Sequence, residues 1–299
     1  MNRRPGVVTA FVSQVDAGNG RVQLEYRAME DDLQSAWAPI AAPMSGCSRG
    51  QLFMPEVGDE CLVAFENGDF NHPFVVGFLW NGQDNSPESE ASNRVIVTPG
   101  GHQLRFEDKK QDTRIILRSE GKHELLLEDA LDKPKAQLKS NGGRHLLLDD
   151  TTTGKAELAS TSHRITLDDN PGATKIEINA GMGVVTISLN ATPVPSLSIR
   201  VGGNMIDISA AAMNVTAAGN LSITTGGAAT ISTGGSAAVT AGGAVSVTAG
   251  GAVSVTAGGA ISLTASAVSV NSAVATFSGA VVASSIVSPL YTPGVGNIW

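Results

Sequence analysis

The sequence predicts an all-β fold in which a small N-terminal barrel precedes an intertwined trimeric β-helix shaped as a triangular prism. Three observations predict it: short apolar runs separated by turn residues at 1–85, a repeat of about 21 residues at 100–200, and an eight-residue repeat at 201–272. The segments between are a linker that ends in the start of a strand, at 86–99, and a tip at 273–299.

Two hairpins are predicted in the barrel. VVTAFVSQV, a turn at 16–20 and RVQLEYRAM form the first, and ECLVAFENGDFNHPFVVGFLW forms the second with Asn67 and Gly68 at its turn. About five strands in 85 residues indicate a small barrel. Most aromatic residues lie here, and we expect its core to contain Trp37, Phe65 and Trp80.

The neck at 100–200 repeats a strand pattern. GGHQLRFED, GKHELLLED, GGRHLLLDD and the shorter SHRITLDD begin at positions 100, 121, 142 and 162. Apolar and polar residues alternate in each unit, and a repeat of this length is typical of stacked units. The residues expected to form a buried core are Leu125, Leu127, Leu146 and Leu148.

The needle at 201–272 contains a tighter repeat. AGGAVSVT occupies 241–248 and 249–256, AGGAISLT follows at 257–264, and related octads extend back to 217. Paired glycines predict a corner, and alternating aliphatic and hydroxyl residues predict a strand with one apolar face. The predicted core residues are Val245, Val247, Val253, Val255, Ile261 and Leu263, and the predicted corners are Gly242, Gly243, Gly250, Gly251, Gly258 and Gly259.

One chain or three could build this prism. A single chain coiling alone would raise the 64 residues of 201–264 by only ~13 Å, with two open strand edges, whereas three chains winding together would rise ~38 Å and pair every edge. We therefore favour a homotrimer. A disordered Gly/Ala/Ser/Thr linker is the alternative, but it gives no reason to keep Val or Ile in register with Gly over six units.

Composition restricts the possible partners. The net charge of −8 and the lack of a basic patch argue against nucleic acid. Two cysteines do not make a disulfide scaffold, and neither a signal peptide nor an apolar stretch of ~18 residues is recognisable. The 92 residues from Ile208 onward carry no charged side chain, which suits an object that passes through an envelope.

The segment SAWAPIAAPMSGCSRGQLFMPEVGDECLVAFENGDFNHPFVVGFLWNG at 35–82 resembles the phage baseplate assembly protein V and VgrG-type central spike family. The resemblance implies an oligonucleotide/oligosaccharide-binding (OB) barrel at the base of a spike. The repeats of the neck and the octads resemble the shaft of the same proteins, and YTPGVGNIW resembles a spike tip, which would contain Tyr291 and Trp299.

This resemblance implies a structural protein that pierces a target envelope when a contractile sheath shortens. Its implied partners are two further copies, a separate hub protein at the OB end, an optional PAAR-type tip cap and, transiently, the target envelope, with no nucleic acid. The chain would be assembled in the producer's cytoplasm into a virion or phage-tail-like particle. The sequence leaves open whether that particle is a phage tail, a bacteriocin or a cellular injection system.

Three departures from the family are visible. VgrG-type chains carry hub domains before the OB fold, whereas here the first OB strand is expected by Val7. The linker is too short for the lysozyme domain that some spikes insert, and the last histidine is His163, so the HxH tip motif of certain spikes is absent.

Two sets of residues could carry chemistry. Histidines recur at 102, 123, 145 and 163, either as a metal ladder or, as we favour, at turn and outward positions. Acidic pairs at 107–108, 128–129, 149–150 and 168–169 could bind Ca²⁺ or act as acid/base pairs, but turn capping is favoured because aspartate bonds its own backbone in turns. We assign no catalytic, cofactor or metal residues.

Two other functions compete with the spike. A trimeric β-helical polysaccharide-degrading tail-fibre enzyme needs paired carboxylates and aromatic sugar platforms on the helix, yet Glu177 is the last glutamate and Asp207 the last aspartate. A trimeric surface adhesin is disfavoured because no signal peptide or membrane anchor is recognisable.

Overall fold

The computed structural model describes residues 6–28 and 33–288. The chain divides into two units, 1–224 and 225–299. The tip residues Tyr291 and Trp299 lie outside the described residues.

The first unit begins with a barrel of short strands. Strands β1, β2, β7 and β8 form the two predicted hairpins, and the sheet order is β3-β2-β1-β7-β8, with β4 also paired to β2. Left-handed backbone at Gly20 in the first turn and at Asn67 and Gly68 in the second closes these hairpins. The barrel strands are β1 Val7–Asp16, β2 Arg21–Tyr26, β3 Leu33–Gln34, β4 Ala38–Pro39, β5 Ser45–Gly46, β6 Arg49–Gly50, β7 Glu60–Phe65 and β8 Pro73–Phe78.

Alternate residues of these strands fill the barrel. Phe65 lies in the core, where its ring packs against Tyr26 and Phe70. Burial raises the pKa of the Cys61 thiol to about 12, so this cysteine is an inert core residue. The buried core residues are Ala10, Val12, Val22, Leu24, Tyr26, Ala38, Cys61, Val63, Phe65 and Val75.

Two of the three aromatic side chains expected in the barrel core lie elsewhere. Trp37 is only half-buried, with the Arg21 guanidinium 5.0 Å from its ring centre. The prediction for Trp80 is wrong, because β8 ends at Phe78 and the indole that follows is 67% exposed. The sequence pattern could not distinguish the last residues of the strand from those just beyond it.

The rest of the first unit is a single antiparallel sheet of thirteen strands in sequential order. The strands are β9 Asn93–Val97, β10 Gln103–Lys109, β11 Asp112–Arg118, β12 Glu124–Glu128, β13 Lys135–Lys139, β14 His145–Asp149, β15 Lys155–Ala159, β16 Arg164–Asp168, β17 Lys175–Ala180, β18 Val185–Asn190, β19 Ser196–Val201, β20 Asn204–Ser209 and β21 Met213–Thr216.

The path of the chain through this sheet differs from the expected β-helix. Each repeat contributes two strands and two turns, so the chain returns beside itself as a meander instead of coiling. A Gly-containing turn reverses it at one edge, as at Gly142–Gly143, and an aspartate-containing turn reverses it at the other. The sheet also extends to Thr216, so residues 201–216, which were predicted as needle, belong to it.

The second unit contains the octads. In its described part, 225–288, no strand pairing is present, and the chain bends at each glycine pair from 226–227 to 258–259. The Thr225 and Thr233 hydroxyls brace two corners by donating to the carbonyl oxygens of Gly227 and Gly235, at 2.7 and 2.8 Å.

The glycine corners do not depend on left-handed backbone. None of the octad glycines has a positive φ, and a Cβ atom added to any of them would meet open space in the single chain. The chain therefore bends at the glycines predicted as corners, but the left-handed backbone angles that glycine permits are not used there.

Candidate assembly surface

One face of the thirteen-strand sheet is continuously aliphatic. Register places one apolar residue of every strand directly beside an apolar residue of the next, so that a single row crosses the whole sheet. The row consists of Ile96, Leu104, Leu117, Leu125, Leu138, Leu146, Leu158, Ile165, Ile178, Ile187, Ile199, Ile206 and Val215.

A second row runs beside the first. It contains Phe106, Ile115, Leu127, Ala136, Leu148, Ala156, Leu167, Ile176, Leu189, Leu197, Ile208 and Met213. We call the two rows together the apolar face. The four leucines that were predicted as neck core, at 125, 127, 146 and 148, all lie on it.

Nothing in the described part of the chain covers the apolar face. Leu138 and Leu158 are each 56% exposed, although they lie in the middle of the sheet. Monomeric soluble proteins rarely expose an apolar surface this extended, since removing it from water is the main driving force of association. The arrangement indicates a surface that is buried by another chain.

The opposite face carries a row of alternating charge. Neighbouring strands place Glu107, Arg114, Glu128, Lys135, Asp149, Lys155, Asp168 and Lys175 side by side in that order. Opposite charges directly across an antiparallel pair are stabilising and like charges are destabilising, so this row favours the observed register. We call it the charge ladder; sequence reasoning missed it, because the pattern requires knowing which strands are neighbours.

Two glutamates of this face are almost fully buried among cations. Glu128 lies 3.2 Å from Arg114 Nε, 3.1 Å from Lys135 Nζ and 3.5 Å from Lys133 Nζ. Burial alone would raise the pKa of Glu128, but the hydrogen bond from Lys135 and the surrounding positive charges together lower it. Glu157 is held in the same way by His145 at 2.9 Å and by Arg164 and Lys155.

Acid should destabilise the sheet through Glu177, a further carboxylate of the charged face. The hydrogen bond from Lys175, opposed by partial burial and assisted by Asn179, lowers the pKa of Glu177 below its ordinary value of 4.5. A carboxylate with a lowered folded-state pKa stabilises the fold fully above its ordinary pKa, and this contribution is lost as pH falls through the folded value. We expect the melting temperature of Glu177→Gln to lie below that of wild type at pH 7 and to converge with it as the pH falls below 4.5. Calorimetric melts at each pH measure this; a constant difference across the range would contradict the assignment.

Three of the four histidines occupy equivalent turn positions. Nδ1 of His102, His123 and His163 accepts a backbone N–H from Glu120, Asn141 and Gly181, at 3.2, 3.4 and 3.3 Å. The fourth, His145, is displaced by one position in the repeat, where Arg144 takes the turn position, and it contacts Glu157 on the charged face. His102, His123 and His163 therefore link successive turns of one edge.

The acidic pairs split between a strand end and a turn. The carboxylates of Asp149 and Asp168 accept the backbone N–H groups of Thr151 and Asn170, both at 3.0 Å, which confirms turn capping for these two. The second members, such as Asp150 and Asp169, lie in the turns themselves. Within the described residues, no group of three or more His, Cys, Asp or Glu side chains could hold a metal ion.

The octads also expose their apolar side chains. Val247 and Val255 are 74% and 72% exposed, and alternate residues along each octad repeat this pattern. No helix among the described residues is long and apolar enough to cross a membrane.

Comparison with known proteins places the barrel in a family. Residues 4–80 match the family described as the type VI secretion system/phage-baseplate injector OB domain. The barrel is an injector OB domain. Its two hairpins and closed aromatic core are the part of the chain that this match covers.

The injector OB domain and the start of the neck are also similar to curated spike proteins. The type VI secretion system spike proteins VgrG5 and VgrG4b of Pseudomonas aeruginosa are 32% and 29% identical over 114 residues, which is 34% of this chain and 14% of each relative. VgrG3 of Vibrio cholerae is 25% identical over 113 residues, 34% of this chain and 11% of that protein. Over this segment the chain is similar to VgrG-type spike proteins, and it spans about an eighth of the length of the relatives it matches.

Proposed function

We propose that this chain is the structural central spike of a contractile tail or injection baseplate. The OB barrel docks on a separate hub protein, the neck and octads of three copies form the shaft, and sheath contraction drives the shaft through a target envelope. The particle would be assembled in the producer's cytoplasm.

The uncovered apolar face is the observation that carries this proposal. A single-layer sheet with one apolar face is stable only when that face is buried, and three such sheets can enclose one dry core as the sides of a prism. The injector OB domain and the spike proteins among its relatives favour this use of the surface over an adhesin or a tail-fibre enzyme.

The octads also support an assembly of three copies. Their backbone leaves N–H and C=O groups without strand partners in the described chain, and such edges pair readily with other chains. Three interwound chains would pair these groups and bury Val247, Val255 and their equivalents. Stiffness, and not catalysis, is the property that this construction provides.

The mass of the purified full-length chain in solution tests the proposal. We expect light scattering to give three times the chain mass of 30.6 kDa, about 92 kDa, and a band of the same size to persist on an SDS gel until the sample is boiled. A monomer would overturn the proposal. Cleavage of capsular polysaccharide by the purified trimer would instead favour the tail-fibre enzyme.

A further inference from the structure

The thirteen-strand sheet has two sides that are formed by the turns at the ends of its strands, and we call each of these sides an edge. The unpaired charged residues of the two edges have opposite signs. Turns at one edge join β11 to β12, β13 to β14 and β15 to β16, and turns at the other join β12 to β13, β14 to β15 and β16 to β17. The chain crosses from one edge to the other with every strand. Successive turns therefore lie on opposite edges and are displaced along the sheet by one strand spacing, about 4.8 Å.

The first edge is basic. Lys122, Lys139 and Arg144 lie in its turns or at the adjoining strand ends, and they form no ion pair within the described residues. The histidines of this edge already accept backbone N–H groups. We call these turns and strand ends the basic edge.

The other edge is acidic. The side chains of Asp129, Asp132, Asp150 and Asp169 lie in its turns and have no ion-pair or hydrogen-bond partner in the part of the chain that the structure describes. The single lysine of these turns, Lys133, is already paired with Glu128 at 3.5 Å. We call these turns the acidic edge.

The exceptions to this division lie together. Glu120 is the unpaired acid on the basic edge, and Lys110 is an unpaired base on the opposite edge. Both belong to turns that flank β11, so the two exceptions lie at the same end of the sheet, and the turn with Glu120 also carries Lys122.

A cavity of about 590 Å³ opens along the basic edge. Its floor is part of the apolar face, and its rim carries basic side chains with no acidic residue among those lining it. The floor consists of Leu138, Leu146, Leu158 and Ile165, and the basic side chains are His123, Lys139, Arg144, His145, His163 and Arg164. His145 and Arg164 already pair with Glu157, so Lys139 and Arg144 are the lysine and arginine of the rim without an ion pair among the described residues. An apolar floor with these two cations at its rim fits an acidic segment whose neighbouring surface is aliphatic.

We propose that this cavity receives the acidic edge of a second copy of the chain. Three copies related by rotation place the same edge of each sheet against the opposite edge of the next, which is a heterologous contact that closes into a ring. Rotation therefore brings the basic edge of one copy to the acidic edge of its neighbour, with the turn that carries Asp150 at the level of β14 and β15. The inference rests on the proposed trimer. It adds which edges of neighbouring copies meet, the basic edge of one against the acidic edge of the next.

Charge reversal of one edge at a time tests this contact. Lys122→Glu with Arg144→Glu reverses the basic edge, and Asp129→Lys with Asp150→Lys reverses the acidic edge. Either pair sets like charges against each other. We expect trimer formation after dilution from denaturant to slow about tenfold at low salt, because charge at an interface rim acts mainly on association. The four substitutions together restore opposite signs at every contact and should restore most of the rate.

Two controls separate this idea from the proposed function. Glu66→Lys changes an exposed charge in the barrel, outside the thirteen-strand sheet, and should assemble like wild type. High salt should slow wild type and remove most of the difference between it and either edge variant. If wild type and all variants form trimers at equal rates, the edge pairing is wrong and the spike stands; if wild type itself is monomeric, the spike proposal fails first.

Discussion

Aspartate at both Val247 and Val255 will prevent three chains from assembling. These side chains belong to consecutive octads and lie at the apolar positions of the repeat. In the proposed shaft they face a core without water, where an unpaired carboxylate costs several kcal/mol. Each trimer would contain six such groups, so we expect the variant to remain monomeric or to aggregate through its open edges.

The hydroxyl positions between them supply the matched control. Ser246→Asp with Ser254→Asp places the same charge one residue away in each octad, on the side that faces outward in the proposed shaft. This control should form trimers of normal mass that resist SDS before boiling. Light scattering and unboiled gels compare the two variants, and an intact, heat-resistant trimer of the valine variant would refute the core assignment.

The barrel and the alternation of the strands were predictable because both depend on neighbouring residues. The two hairpins follow from turn residues at Gly20, Asn67 and Gly68. The alternation of Leu104 and Phe106 with polar residues already assigns those two side chains to one face. Turn residues and alternation depend only on neighbours in the sequence, so they predict hairpins and strand faces whichever strands pair.

The path of the neck was not predictable in the same way. A repeat of about 21 residues fits either one coil of a helix or one hairpin of a meander, and only the pairing of β12 with β13 distinguishes the two. The charge ladder and the two charged edges were missed for the same reason. The placement of Trp80 failed because the end of β8 is set by the barrel and not by the apolar run.

Polar substitution of the apolar face should prevent the neck from associating. Leu125→Gln with Leu146→Gln changes two leucines in the first aliphatic row. Leu138 lies between these two leucines and pairs with both. Burying a leucine stabilises by roughly 2–3 kcal/mol, so losing six per trimer removes on the order of 15 kcal/mol, and each new amide must also find a partner in the core. We expect loss of the trimer by light scattering.

The charged face offers the comparison that makes this result specific. Leu126 and Leu147 are the next residues in the same strands, and they lie on the opposite face, on either side of Gln137. Leu126→Gln with Leu147→Gln makes the same chemical change and should keep the trimer, with at most a modest fall in melting temperature. Equal loss of the trimer in both variants would mean that leucine content stabilises the sheet itself, and that the apolar face is not the surface on which the copies meet.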